Sequence, residues 1–188
     1  DVSEALPGML ERNRRLWENQ SSDFLADSGS SAAKYLQAIS GAGFTHWSVS
    51  YNKWTAALER TAAAQPELAW SKPVAAVWRD GSAITEQHGV IRHTPDGCPE
   101  TFHFAAVRFR RADEMFWNYR FVACDEKRHN GAAIFARHKL KGEKEQLLKE
   151  VLRGLDLHHP PCAELNANAM FYAIAALAYN LLVAVKLL

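Results

Sequence analysis

Between Trp70 and Asp125 the chain sets out four runs rich in β-branched and aromatic residues: PVAAVWRDG, ITEQHGVIRHT, TFHFAAVRFRR and MFWNYRFVACD. Asp-Gly, Pro-Asp-Gly and Arg-Ala-Asp part them, so the block reads as an antiparallel meander of strands and tight turns. A run of strands this long demands a sheet with a covered face, and the rest of the chain must supply the cover.

The flanks have another texture. Ser3 to Glu18 places Leu6, Leu10 and Trp17 among charges and reads as an amphipathic helix despite Pro7 and Gly8. DFLAD comes next as a short strand. SSAAKYLQAISGAG is a helix with a serine start and a stop at Gly41 or Gly43, FTHWSVSYN alternates as a strand, and KWTAALERTAAAQP is a helix ended by Pro66. Beyond the meander, Ala132 to Arg153 is helical with charges dense on one side, GLDLHHPP breaks it, and a last helix runs from about Glu164 to the end. The expectation is an α/β fold in three stretches: a core at 1–69, a β-rich insertion at 70–127 and closing helices at 128–188.

A chain of 188 residues readily buries a core, and a net charge of +1 excludes a globally basic nucleic-acid binder, so any such site is a local patch. Cys98, Cys124 and Cys162 form no CxxC pair, which argues against a disulfide framework or zinc ribbon and for a reducing compartment. His158, His159 and Cys162 are a poor zinc set, because consecutive histidines rarely point at one centre. The opening DVSEALPGML lacks the basic start and apolar core of a signal peptide. AMFYAIAALAYNLLVAVKLL has the length of a membrane span, but Asn180 and Lys186 interrupt it and its alanines allow close packing, so a buried helix and no membrane contact are expected.

Two acids stand out. Asp27 ends the apolar run FLAD just before Ser-Gly-Ser, and in open α/β sheets the ends of strands are where catalytic groups collect. Without a partner in view, the first reading of Asp27, or of Ser28, is as the cap of the helix after it. Glu145 lies on the charged helix HKLKGEKEQLLKEVLR, where His138, Lys141, Lys149 and Leu152 fall at −7, −4, +4 and +7 and therefore near one face. A carboxylate flanked by cations on one stripe suits a metal held beside a phosphate backbone. On spacing alone the stripe reads first as a solvated face with Glu-Lys pairs.

Taken in order, FLADSG, Ala69-Trp70, YRFVACD, RHKLKGEKEQLLKEVLRGLDLHHPPC and ANAMFYAIAALAYNLL resemble the later part of a bacterial insertion-sequence transposase of the DDE type. The resemblance covers nearly the whole chain and is densest from His138 to Leu182. It implies an RNase H-like mixed sheet flanked by helices, with a β-rich insertion before the last catalytic helix. In such enzymes three acids hold two divalent metals, Mg²⁺ or Mn²⁺, that drive attack on a DNA phosphodiester. By resemblance Asp27 is the second acid and Glu145 the third. Double-stranded DNA, at transposon ends and target, is the implied partner, a homodimer the implied complete form, and the bacterial cytoplasm, in association with the nucleoid, the implied location.

The chain departs from the family pattern in places. Around the third acid the family carries Tyr, Arg, Glu and Lys where this sequence reads His138, Lys141, Glu145 and Leu152. Lys141 keeps the charge, although Lys meets phosphate as a point charge where Arg is bidentate. His138 remains a donor, and Lys149 or Arg153 replaces the lost final cation. The family's first acid lies on an upstream strand, and nothing before Asp27 resembles it. The expectation is a transposase portion without its N-terminal strands, nearly inactive alone; the alternative is a non-catalytic DNA-binding or dimerising remnant.

The insertion adds a basic stripe. Arg108, Arg110 and Arg111, with Arg92 and Arg79 on neighbouring strands, form either a DNA-facing surface or a charged guard on a strand edge. Trp47, Trp54, Trp70, Trp78 and Trp117 are read chiefly as core.

Overall fold

The computed structural model describes residues 2–53, 55–78, 80–125, 130–154, 157, 159 and 161–186; Trp54, Arg79 and His158 lie outside them. The chain forms two compact units, Asp1–Lys139 and Leu140–Leu188.

The first unit is built on a mixed six-stranded sheet. In chain order the elements are helix α1 (Val2–Asn13), strand β1 (Asp23–Ala26), α2 (Ala33–Gly41), β2 (His46–Tyr51), α3 (Ala56–Ala63), β3 (Val74–Val77), β4 (Ala83–His93), β5 (Phe102–Arg111), β6 (Asn118–Cys124) and the start of α4 (Gly131–Gly154). The spatial order of strands is β1-β2-β6-β5-β4-β3. β1 and β2 are parallel, joined through α2, and every other pairing is antiparallel. Gly43, at φ 82°, lets the chain turn from α2 into β2. Because β6 pairs with β2, strands from 1–69 and from 70–127 share one hydrogen-bonded sheet; the boundary expected at residue 70 runs through it.

Strand alternation divides the core in two. On one face Trp47, Val49 and Tyr51 of β2, Phe102 and Phe104 of β5, and Phe121 of β6 pack against Leu10 of α1, Leu36 and Ile39 of α2, and Leu58 of α3. On the other, Ala105, Val122 and Cys124 receive Ile134 and Phe135 from α4. Helices thus cover both faces, the three-layer arrangement that a mixed sheet needs.

The second unit holds the rest of α4 and α5 (Leu165–Lys186). Asn168 ties the loop to α5, donating to the Cys162 carbonyl at 2.7 Å and accepting from the Cys162 N–H at 3.3 Å, and the Tyr172 hydroxyl reaches the Leu157 carbonyl at 3.4 Å. The expected buried helix is not what forms: Met170, Ile174, Leu177 and Leu181 are more than half exposed, and Ala175 is the buried position among the described residues of α5. The reason is geometric. A helix apolar all round is buried only where neighbours cover every side, and among the described residues α5 is buried only at Ala175. By length and composition Leu165–Val185 is long and apolar enough to cross a membrane.

Candidate functional site

The end of β1 is shaped by alternation. Phe24 and Ala26 pack with the α1–α3 face, while Asp23, paired in register with His46, ion-pairs with Arg137 of α4 on the other face. Asp27 keeps an extended backbone, φ −83° and ψ −177°, so the alternation continues and its carboxylate falls on the α4 side. One oxygen accepts the Gly29 N–H at 2.9 Å and caps the turn Ser28–Ser30. The side chain is exposed, and among the described residues its second oxygen bonds nothing. Strand-end acid and cap are therefore one residue in both roles.

Helix α4 starts on the same face and is registered by three contacts. Gly131 lies directly on β4: a Cβ there would stand 2.5 Å from the Gly89 carbonyl oxygen. Phe135 meets His88 edge-on, with ring centroids 5.7 Å apart. His138, buried, sits between two serines of β2, with Nδ1 2.9 Å from the Ser48 hydroxyl and Nε2 2.7 Å from that of Ser50. A neutral imidazole offers one donor and one acceptor, and hydroxyls serve as either, so both nitrogens are satisfied. His138, expected to donate to phosphate, is instead occupied in docking α4 on β2. Glu145 falls on α4 two turns beyond it; its side chain lies outside the described residues, as does that of Leu152. Lys149 and Arg153 are exposed on α4 in the second unit, and Lys141 is partly buried there.

The basic stripe does not form as expected, because alternation splits it between faces. Arg108 and Arg110 share the α1–α3 face, whereas Arg92, paired with His103, and Arg111 lie on the α4 face. Arg108 is buried: it bonds the Gln87 side chain through Nε at 3.1 Å and Nη2 at 2.8 Å, ion-pairs with Glu67, and lies 4.7 Å and 4.5 Å from the ring centres of Trp70 and Trp117. That guanidinium holds Glu67 below the usual carboxylate range, helped by Gln87. Its place in the core overturns the expectation that it faces DNA. Arg110 is exposed over Trp117 at 4.4 Å, and Arg111 pairs with Asp80 at 2.6 Å and Glu114 at 3.7 Å. Trp47 and Trp70 are core residues, as expected.

Sequence reasoning missed a clasp between β2 and β6. Asp125 is buried and accepts from the Trp47 N–H at 3.0 Å, with the His46 ring 3.3 Å away. Beside it, burial pushes the Cys124 thiol up to about 12, so it stays protonated and unreactive. No family model, curated protein or solved structure matches the chain.

Proposed function

We propose that this chain is part of the catalytic domain of a DDE-type transposase, with an RNase H-like core in which Asp27 and Glu145 are two of three metal-binding acids. The observation that carries this reading is that Asp27, at the carboxyl end of a strand in a parallel pair, lies on the sheet face where α4 docks. That helix also bears Glu145 and the cations Lys141, Lys149 and Arg153. The order of motifs resembling the family, from FLADSG to ANAMFYAIAALAYNLL, supports it independently.

The donors fit a hard divalent cation. Asp27 presents an exposed carboxylate with one oxygen fixed by a backbone N–H, and carboxylate oxygens are what Mg²⁺ prefers. Glu145 enters as the second ligand by the resemblance; among the described residues no cluster of three His, Cys, Asp or Glu side chains occurs. When bound, the metal pair supplies activation of a water or 3'-hydroxyl and neutralises charge on the phosphodiester. The chain's own residues do the rest. The Gly29 N–H fixes the rotation of the Asp27 carboxylate. Ser48 and Ser50 hold α4 through His138. Lys141, Lys149 and Arg153 position the DNA backbone by charge.

Titration calorimetry with Mn²⁺ tests the assignment. The chain binds, and Asp27→Ala and Glu145→Ala each weaken binding by about tenfold or more, since each removes a charged oxygen ligand. Binding that survives both substitutions sinks the metal assignment, and no binding at all favours the non-catalytic DNA-binding or dimerising remnant.

A further inference from the structure

Arg92 of β4 and His103 of β5 stand directly opposite each other in register on the α4 face. Side chains so paired have Cβ atoms roughly 4.5–5.5 Å apart, close enough for both to reach one bound group. Neither side chain has a hydrogen-bond or ion-pair partner among the described residues, and Nδ1 of His103 is buried with none. A buried ring nitrogen without a protein partner calls for a water or an ion to satisfy it.

Both line a cavity of about 640 Å³, along with Ser71, His88, Asn130 and Gly131. Its described lining contains no carboxylate. Asn130 spends its side-chain carbonyl on the Ala133 N–H, which leaves its amide NH₂ to donate. An adjoining cavity of about 510 Å³ shares Arg92 and His103 and does hold Glu100 and Asp125. Those acids are engaged elsewhere, Glu100 with Gln37 and Asp125 with His46 and the Trp47 N–H. Ser71 donates its hydroxyl to the Lys72 carbonyl and accepts the His88 N–H, so the groups left to meet a ligand are Arg92, His103 and the Asn130 amide. A planar guanidinium among them fits the oxygens of a phosphate group, which Arg meets bidentately.

We propose that this cavity is a phosphate-binding site, with Arg92 as the charged anchor and His103 as its partner across the strands. It does not rest on the transposase reading, because Arg92 lies four strand spacings from β1, roughly 19 Å across the sheet. The phosphate belongs either to a nucleic-acid backbone or to a small free phosphate.

Inorganic phosphate titrated into the full chain at constant ionic strength, without metal, tests the site. Saturable binding is expected, weakened about tenfold or more in Arg92→Gln by loss of a charge-assisted contact and less in His103→Gln. Arg92 is exposed, so its variant keeps the fold, and Arg92→Lys recovers part of the affinity. A short duplex with hydroxyl ends that displaces the phosphate identifies a backbone phosphate, and failure to displace it identifies a free one. Absence of binding, or binding unchanged in both glutamine variants, overturns the proposal.

Discussion

Arg108 and Arg110 are two residues apart on the same face of β5, yet their surroundings give them opposite significance. Arg108 is enclosed by Trp70, Trp117, Gln87 and Glu67, while Arg110 lies exposed over one indole. Arg108→Ala leaves the Gln87 side-chain oxygen without a donor and empties the space between two rings, so it should cost about 2–4 kcal/mol. Arg110→Ala should stay within about 0.5 kcal/mol, as exposed substitutions do. Urea unfolding of the two variants makes the comparison, and equal losses would contradict it. This distinction was legible in principle, since period-two alternation aligns Arg108 with Phe104 and Ala106, both buried. What the sequence could not supply was the depth at which the core ends. That depends on Trp117 and Glu67, which arrive from a turn and from the link between α3 and β3.

Among the elements, α4 shows where local propensity and packing disagree. Alanine outranks glycine in a helix by about 1 kcal/mol. At residue 131, however, a Cβ would press on the backbone of Gly89, 2.5 Å from its oxygen and 3.1 Å from its carbon and nitrogen, and backbone cannot step aside as a side chain can. Gly131→Ala should therefore destabilise the chain by about 1–3 kcal/mol, the usual cost of overpacking. A thermal melt that rises instead would show that α4 does not press on β4. The run HNG at the start of α4 gave no hint of this, because the glycine answers to a strand some forty positions upstream. The strands themselves were legible. β3 to β6 match the four β-rich runs, and Asp27 closes β1 at the place where FLAD meets Ser-Gly-Ser. The environment of α5 was not, since its composition says that it is apolar and says nothing of how much surface its own unit can offer.

For the whole molecule the sheet also holds partly buried imidazoles. Burial lowers the pKa of His88 and of His93 below the ordinary 6.5, only partly opposed by Glu86 at the first and Asp96 at the second, while Lys139 reinforces the shift at His88. The unfolded chain then takes up protons before the folded one does. Stability from these two groups is fully present above pH 6.5 and is lost as the pH falls from 6.5 through their lowered folded values. The urea midpoint should accordingly drop between about pH 7.5 and pH 5.5, the range in which ordinary histidines titrate, and His88→Gln should flatten the drop. A midpoint that rises on acidification would reverse the assignment.

The strand order also sets a timetable. Ser48 of β2 pairs with Cys124 of β6, 76 positions later, and no strand made in between can take that place. At ~5–20 residues per second of synthesis, β2 waits roughly 4–15 s for its neighbour. For that interval Trp47, Val49 and Tyr51 have helices on one side but an unpaired backbone edge beside them, the state in which nascent chains engage chaperones or each other. Closing the sheet through β6 is then a late, long-range step, and ribosomal pace as much as final stability governs how much chain reaches the native state.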